Sequence, residues 1–415
     1  MSRWRVAAFA SMLAALAGCA STGSPPKSAL PPVRHVFLIM LENQDYKDTF
    51  GDGKLNPYFL GTLRPMGAQL TQYHAISHLS LPNYIALISG QPASKQTEAD
   101  CERYNDFQMS GMSADGLAIG DGCVYPAGVK TLADQLDAAH LTWKGYMEDM
   151  GNNPARESAT CGHPAINDAD RTQNPEAPST AVPKGDQYAA RHNPFVYFHS
   201  VIDSPRCATQ VVNLDHLGAD LEHEATTPNL VFVTPNLCHD GHDGDGSGAP
   251  GHGCVNGEPG GLRSVDEFLQ AWVPKILASP AYRKDGLLII TFDESNAAGI
   301  QSTIDPASGR KMILASYAGV ACCNQQTGPN VTRPAIIDYP VDEHEFYRVE
   351  LAGTGGDRIG AVLLSPFIKP GTVSDQPYNH YALLRSVEDL FGLEHLGFAA
   401  QAGLMPFGPE VFGRH

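Results

Sequence analysis

The fold of this chain is decided by the stretch Ile289-Ile290-Thr291-Phe292-Asp293-Glu294. An apolar run stops there at two adjacent carboxylates, a pattern typical of a buried strand in an α/β sheet. In open sheets of this kind, ligands bind outside the carboxyl ends of the strands. We therefore predict that Asp293 and Glu294 can hold a cation.

The N-terminal part of the chain repeats this pattern. The apolar run Val36-Phe37-Leu38-Ile39-Met40-Leu41 leads directly into Glu42 and Asn43. Two strands that each end in oxygen ligands suggest one shared metal site, formed by Glu42, Asn43, Asp293 and Glu294. The remaining motifs are interpreted around this site.

Apolar strands alternate with helical segments from residue 35 onward, which predicts a mostly parallel sheet with helices on both faces. Strands are predicted over 35–42, 69–74, 141–148, 229–236, 286–294 and 358–366. Helices are predicted over 57–64 (capped by Asn56), 81–89, 129–140, 214–224, 264–277 and 381–391. We expect a single catalytic domain over 35–415, with long loops and a small subdomain or cap over 297–356.

The first residues are interpreted as a targeting segment. Arg3 and Arg5 precede a short apolar run that ends in Leu16-Ala17-Gly18-Cys19, as in a secretory signal peptide. The last four residues also resemble a bacterial lipobox, so we predict a signal peptide over 1–19, acylation of Cys19 and a tether over 20–34. Ordinary cleavage nearby, with an unmodified Cys19, is the alternative. The predicted location is the outer membrane and periplasm, or the cell surface.

The cysteine count fits an exported protein. Without Cys19, eight of the nine cysteines remain, an even number that suits an oxidising compartment. Local pairing of Cys101 with Cys123, and of Cys238 with Cys254, is plausible. The adjacent Cys322 and Cys323 are expected to bond to other partners rather than to each other. The net charge of −17 argues against nucleic acid as a partner. Oligomeric state is not readable from the sequence.

A second motif is His78-Leu79-Ser80-Leu81-Pro82-Asn83-Tyr84, at the start of a predicted helix. Ser80 can be read simply as the helix N-cap, with Pro82 in the first turn. It can also be read as a nucleophile at a helix N-terminus, where backbone N–H groups bind anions. A metal held by the strand ends would activate its hydroxyl, so the two signals support each other.

A third motif follows the predicted strand over 229–236. It places His239, Asp240, His242 and Asp243 at close spacing, which suits a divalent metal or an acid pair. A solvated loop or a structural Ca²⁺ loop is the alternative. His192 and His380 stand beside turns at element starts, where histidines can hold phosphate oxygens or protonate a leaving group.

Taken together, these segments resemble a known family. The similarity is carried by HVFLIMLENQDY (35–46), HLSLPNYIALISG (78–90), YAARHNPFVYF (188–198), VTPNLCHDGHD (233–243), LIITFDE (288–294) and YNHYALLRSVEDLFGL (378–393). They look like the bacterial phosphoesterase family of secreted acid phosphatases and phospholipases C, within the alkaline phosphatase superfamily. The resemblance implies a three-layer α/β/α sandwich with a metal at the strand ends.

The resemblance also implies roles for individual residues. Ser80 would be the nucleophile and a metal ligand, and Asn83 would contact the phosphoryl oxygens. The other metal ligands would be Glu42, Asn43, Asp293 and Glu294. The phosphate pocket would be lined by His192, His239 or His242, and His380. The oxygen-rich ligand set favours Mg²⁺, Ca²⁺ or Mn²⁺ over a full two-zinc site, although Zn²⁺ stays open.

The predicted function is metal-dependent hydrolysis of phosphate monoesters, soluble or lipid and including phosphoinositides, through a phosphoserine. A phospholipase C-type phosphodiesterase is the alternative. A more distant alternative is a non-catalytic, lipid-anchored Ca²⁺-binding protein that uses the loop around Asp243. A sulfatase is disfavoured because no Cys or Ser lies in the C/S-x-P-x-R setting.

Overall fold

The computed structural model describes Met1, residues 30–296 and residues 299–413. The predicted signal peptide, Cys19 and most of the predicted tether lie outside the described residues. Within the described part of the chain, no helix combines the length and hydropathy needed to cross a membrane.

Sixteen strands form four sheets in the described residues. In chain order they are β1 (His35–Leu41), β2 (Ala68–Leu70), β3 (Tyr73–His74), β4 (Gln108–Met112), β5 (Ala118–Asp121), β6 (Trp143–Met147), β7 (Val211–Asn213), β8 (Leu230–Thr234), β9 (Gly286–Phe292), β10 (Gly299–Ile304), β11 (Lys311–Tyr317), β12 (Ala335–Pro340), β13 (Glu345–Leu351), β14 (Ala361–Leu364), β15 (Thr372–Ser374) and β16 (Tyr378–Asn379).

The main sheet has the order β15-β2-β14-β9-β1-β8-β6-β7. Only β14 runs antiparallel to its two neighbours, so the sheet is mostly parallel, as predicted. Every residue of β1, β8 and β9 is buried, so both faces of the sheet centre are covered. This is the three-layer α/β/α arrangement, and the hydrophobic core lies on both sides of these central strands.

The helices are short apart from three. They are α1 (Tyr46–Thr49), α2 (Arg64–Met66), α3 (Ser80–Ser89), α4 (Leu132–Ala138), α5 (His199–Ile202), α6 (Cys207–Gln210), α7 (Leu217–Asp220), α8 (Gly261–Ala278), α9 (Pro280–Asp285), α10 (His380–Phe391) and α11 (Pro409–Phe412). A π-helix, Phe59–Leu63, precedes α2, and 3₁₀ turns cover Thr97–Ala99, Ala190–His192, Pro194–Tyr197, Leu214–His216 and Gly397–Ala400. The helix α3 packs against α10, and α9 packs against β1 and β9.

The predicted cap by Asn56 is wrong. The backbone N–H groups of Tyr58 and Phe59 donate instead to the carboxylate of Asp266, at 3.1 and 2.8 Å. Asn56 Nδ2 donates to the carbonyl of Thr49 at 2.7 Å. A charged carboxylate from the distant α8 is a stronger acceptor for these N–H groups than a local amide, so the tertiary contact replaces the local one.

Two predicted elements differ from the observed ones. The segment 69–74 is two strands rather than one, because the chain leaves the main sheet after β2 and pairs β3 with β16. The predicted helix over 214–224 is a 3₁₀ turn followed by α7. This helix ends at Asp220, whose carbonyl accepts hydrogen bonds from the hydroxyls of Thr226 and Thr227 at 3.0 and 2.9 Å. Side-chain hydroxyls that bond to backbone carbonyls compete with helix propagation.

Four disulfides link the eight described cysteines. The predicted pairs Cys101–Cys123 and Cys238–Cys254 are confirmed, and Cys161–Cys207 is a third. The prediction for the two adjacent cysteines is wrong, since Cys322 bonds to Cys323. Among the eight described cysteines, the other six pair with one another, which leaves these two neighbours to pair together. Four disulfides are typical of an oxidising compartment.

A small sheet lies in the segment between β9 and β14. Its order is β10-β11-β13-β12, with β11 parallel to β13 and the other pairs antiparallel. The two ends of this segment lie close together, because the backbone N–H of Ser295 donates to the carbonyl of Gly356 at 3.1 Å. The small sheet is therefore inserted directly after the carboxylates that follow β9.

Candidate active site

The two predicted strand ends lie side by side. β1 and β9 pair in parallel with Leu41 opposite Phe292, so the next residues, Glu42 and Asp293, emerge together. Both are fully buried. Asp293 Oδ1 accepts hydrogen bonds from the backbone N of Asn43 at 3.0 Å and of Glu294 at 2.6 Å. These contacts hold the Asp293 carboxylate in place and leave its Oδ2 without a hydrogen-bond partner.

Ser80 is the first residue of α3, and the prediction that it is the helix N-cap is wrong. Its hydroxyl donates to Glu42 Oε2 at 2.9 Å instead. Asp100 supplies the cap instead, with Oδ1 accepting from Leu81 N at 3.0 Å. Because another residue caps the helix, the Ser80 hydroxyl is directed to the carboxylate at the end of β1.

Asn83 holds the loop that presents Ser80. Its Oδ1 accepts from Ile76 N at 3.0 Å and Ser77 N at 3.1 Å, and its Nδ2 donates to the carbonyls of Ser77 and Leu79. Leu79 has a φ of 68°, a conformation that L-residues adopt only under constraint. Asn83 therefore stabilises this strained turn. Its predicted contact with phosphoryl oxygens stays a prediction.

His192 lies between two carboxylates. Its Nε2 is 3.3 Å from Glu42 Oε1, and its Nδ1 is 3.2 Å from Asp240 Oδ2. The imidazole stacks on the Tyr84 ring, with centroids 5.2 Å apart and planes 7° from parallel. One ligand atom from each of Glu42, His192 and Asp240 lies within 4.8 Å of the others. These three side chains can share one metal ion.

Within the described part of the chain, no lysine or arginine forms an ion pair with the buried carboxylates of Glu42, Asp240 and Asp293. Burial, and then the charges of Asp293 and Asp240, hold the pKa of Glu42 well above its usual range. Burial also raises the pKa of Asp240 and of Asp293 and lowers that of His192. Buried carboxylates of this kind are costly unless they are paired or coordinate a metal.

Unsatisfied atoms point to the same conclusion. Glu42 Oε1, His192 Nε2, Asp240 Oδ2 and Asp293 Oδ2 are buried and have no hydrogen-bond partner. Three oxygens and one imidazole nitrogen suit a divalent cation, whose charge would also offset the three carboxylates. The residues present therefore fit a metal ion. In this arrangement His192 and Asp240 join Glu42 and Asp293 as candidate ligands.

Glu294 takes part in a different contact. Its Oε2 is 2.5 Å from His78 Nδ1, and His78 Nε2 is 3.0 Å from Asp357 Oδ2. Burial alone would lower the pKa of His78, but the carboxylates of Asp357 and Glu294 raise it to about 8. Asn43 contributes its backbone N to Asp293 from a left-handed conformation with φ 51°. Ligand roles for Asn43 and Glu294 stay predictions.

The predicted histidines occupy three environments. His242 lies at the cluster, with its ring centroid 6.1 Å from that of His192 and its backbone N donating to Asp240 Oδ1 at 2.8 Å. Its Nδ1 lies 2.8 Å from Asp243 Oδ1. His380 supports the cluster from behind, because its Nε2 lies 2.7 Å from the carbonyl of Asp293.

His239 has partners outside this cluster. Its Nδ1 lies 2.9 Å from Glu148 Oε2, and its Nε2 lies 2.8 Å from Glu258 Oε2. Burial alone would lower the pKa of His239, but hydrogen bonds to Glu148 and Glu258 raise it to about 10. The structure thus places His242 at the cluster and His239 outside it, a distinction that the sequence could not make.

Arg191 is the main residue that the predicted site lacked. It is 4% exposed and donates from Nη1 to the carbonyl of Gln173 at 2.9 Å. Its Nη2 is 3.5 Å from His242 Nε2. Among the described residues, no carboxylate lies within salt-bridge distance of its guanidinium. The position of Arg191 beside His192, in the motif over 188–198, could have suggested a role in the site. Only the fold shows that the Arg191 guanidinium is buried next to the cluster.

Comparison with known proteins identifies the family of this chain. A profile described as the Phosphoesterase family matches residues 59–394. The chain is 29% identical to the phosphate-repressible acid phosphatase of Penicillium chrysogenum over 71% of this chain and 61% of that enzyme. It is 23% identical to a phosphatidylinositol-3-phosphatase of Mycobacterium tuberculosis over 95% of this chain and 88% of that enzyme.

Among solved structures, a protein in the alkaline phosphatase superfamily from Vibrio parahaemolyticus aligns with a TM-score of 0.45 at 12% identity. The alignment covers 89% of this chain and 68% of that protein. The chain spans about three fifths of the length of the first curated relatives that it matches. Several of those relatives are fungal, so the matches do not restrict the resemblance to bacterial proteins.

Proposed function

Because this chain belongs to the Phosphoesterase family, we propose that it hydrolyses phosphate monoesters through a phosphoserine at Ser80. One observation carries the proposal. The Ser80 hydroxyl donates to Glu42 at the edge of a buried cluster with four unsatisfied metal-ligand atoms. A hydroxyl needs activation to act as a nucleophile, and a metal ion held by this cluster would supply it.

The proposed reaction has two displacements. Ser80 Oγ attacks phosphorus, its proton passes to Glu42 Oε2, and the bond from phosphorus to the alcohol oxygen breaks. The alcohol leaves with a proton from His242. Water then attacks the phosphoserine and returns a proton to His242, while Ser80 regains its proton from Glu42. Each step uses a proton acceptor or donor at the cluster.

Glu42, His192, Asp240 and Asp293 would hold a divalent metal in this proposal, with Ser80 beside it. When bound, the ion would lower the pKa of the Ser80 hydroxyl and offset negative charge on the phosphoryl oxygens. Asn83 would act as a positioning residue, since its amide holds the turn before Ser80. His380 would position Asp293 through the Asp293 carbonyl.

Arg191 is proposed to bind the phosphoryl group. A buried guanidinium is costly without an anion, and its planar N–H groups match two phosphate oxygens. The N-terminus of α3, where Ser80 lies, also favours negative charge. Together they would bind the charge that spreads over the equatorial oxygens in phosphoryl transfer.

Arg191→Gln should weaken binding of inorganic phosphate and vanadate by about tenfold or more, because one charge-assisted contact is lost. Inhibition constants measured with p-nitrophenyl phosphate as substrate check this. Arg171→Gln serves as the control, because Arg171 is an exposed arginine of the neighbouring segment. Equal inhibition constants for the Arg191 variant and the wild type would remove Arg191 from the proposal.

Monoester and diester chemistry can be separated directly. We expect the protein without residues 1–19 to hydrolyse p-nitrophenyl phosphate much faster than bis-p-nitrophenyl phosphate. A second ester group would remove one of the charged oxygens that Arg191 would bind. Faster release of p-nitrophenol from the diester would favour the phospholipase C-type alternative. Hydrolysis of neither, with a metal bound, would favour the Ca²⁺-binding alternative.

The substrate and location are also proposals. Phosphoinositides are candidate substrates because one relative is named a phosphatidylinositol-3-phosphatase. Export is supported by the four disulfides. Lipid anchoring at Cys19, facing the periplasm or the cell surface, rests on the sequence motif alone.

A further inference from the structure

The two faces of the small sheet after β9 differ in how many exposed apolar side chains they carry. Successive residues of a strand point to opposite faces, and paired residues share a face. The register places Ile313 of β11 beside Tyr347 of β13, and Ile300 of β10 beside Ala315 of β11. We call this side the Tyr317 face, after the residue at its inner end; it is represented by Tyr317, Ile313, Tyr347, Val349, Ile300 and Ile304.

On the opposite face, the row across the middle of the sheet contains Gln301, Leu314, Arg348 and Asp338, and Arg348 forms a 2.7 Å ion pair with Asp338. The next row of this face contains Met312 and Phe346, which are both buried. Among the described residues of this sheet, four large apolar side chains are exposed. Ile300, Ile304 and Tyr347 lie on the Tyr317 face, and Ile336 lies on the opposite face.

Much of the Tyr317 face is open to solvent. Ile300 is 71% exposed, Ile304 is 60% exposed and Tyr347 is 45% exposed. Ile313 is half-buried on the same face. Ser302 lies between Ile300 and Ile304 on this face, and Ile313 lies between Ser302 and Tyr347. Exposed apolar side chains grouped on one face of a sheet are a feature of binding surfaces.

The inner end of this face reaches the candidate active site. The Tyr317 ring lies 4.0 Å from the imidazole of His78, two residues before Ser80. Arg333 pairs with Glu98, and Tyr339 donates to the Glu98 carbonyl at 2.9 Å. Glu98 is two residues from Asp100, which caps α3. These contacts hold the small sheet against the segments that precede and cap α3. A single substrate molecule can therefore contact both Ser80 and the Tyr317 face.

We propose that the Tyr317 face binds the hydrocarbon part of a substrate whose phosphate lies at Ser80. The preferred substrate class would then be monoesters of long-chain alcohols. From Tyr317 to Ile313 the strand rises roughly 13 Å, about the length of an extended decyl chain. The net charge of −17 disfavours the rival occupant, an anionic membrane surface. This inference rests on the proposed function.

The test compares butyl, hexyl, octyl and decyl phosphate below their micelle-forming concentrations. Full burial of a methylene is worth about 0.8 kcal/mol, or about fourfold. Contact on one side should therefore raise kcat/KM about twofold per methylene in the wild type. Ile300→Ser and Ile304→Ser should each reduce the preference for decyl over butyl phosphate several-fold and leave p-nitrophenyl phosphate turnover unchanged.

Ile336→Ser is the matched control. Ile336 is 62% exposed, but the register places it on the opposite face of the same sheet. It should keep the wild-type chain-length preference. If it loses that preference as Ile304→Ser does, or if wild-type kcat/KM is independent of chain length, the proposal is overturned.

The remaining outcomes are also decisive. Turnover of butyl phosphate without chain-length dependence would overturn this inference alone and leave the proposed function standing. If no ester is hydrolysed, the proposed function fails, and calorimetric titration of the wild type with decyl and butyl phosphate then decides whether the face binds the chain. A dimer in light scattering that Ile304→Ser dissociates would assign the face to a second copy and overturn the proposal.

Discussion

Ser80→Ala should lower kcat for p-nitrophenyl phosphate by about a thousandfold or more while the fold stays intact, because a residue that forms the covalent intermediate has no substitute in the cluster. The hydroxyl makes one described hydrogen bond, to Glu42, and Asp100 rather than Ser80 caps α3. Removing it should therefore leave the helix unchanged. Steady-state rates check the loss of activity, and thermal melting of the same samples checks that the fold is intact.

Ser89→Ala is the control for this variant. Ser89 is buried in the same helix, and its hydroxyl donates to the carbonyl of Ile85 at 2.7 Å, away from the carboxylates. It should keep near-normal activity. Acid quenching of the wild type during turnover should also trap a phosphoryl adduct that is absent from the Ser80 variant. Near-normal turnover by Ser80→Ala would exclude Ser80 as the nucleophile.

Metal removal should destabilise the wild type. A ligand that binds only the folded state at 100 times its dissociation constant adds about 2.7 kcal/mol of stability, so chelation should lower Tm measurably. Glu42→Gln should raise the Tm of the metal-free protein. The substitution removes one of three mutually repelling buried carboxylates, so the metal-free variant should melt at a higher temperature than the metal-free wild type. Added Mg²⁺, Mn²⁺, Ca²⁺ or Zn²⁺ should then stabilise the variant far less.

Glu388→Gln provides the matched comparison. Glu388 is a fully buried glutamate of α10, and burial raises its pKa to about 8. Its Oε1 accepts from Leu396 N, a bond that glutamine can keep. Added metal should raise the Tm of this variant by as much as it raises the Tm of the wild type. A full metal increment in Glu42→Gln would show that Glu42 is not a ligand, and a wild type insensitive to chelation would remove the metal from the proposal.

The main sheet and the strand ends that carry the candidate site were predictable because both follow from local sequence patterns. Apolar runs that end in Glu42 and Asp293 identify buried strands and the edge where they stop. Local spacing also identified two of the four disulfides. Short elements such as β7 and β15 were not predictable, since three residues carry too little periodicity.

The partners of the charged side chains were decided by the tertiary structure alone. Glu42 and Glu294 both follow buried strands, yet one lies at the Ser80 hydroxyl and the other pairs with His78. The sequence by itself determined the main sheet, the edge at which the candidate site lies and the types of residue at that edge. Which of those residues meet depends on contacts between segments that are 38 positions apart for Ser80 and Glu42 and 216 apart for His78 and Glu294, and packing rather than local pattern brings such segments together.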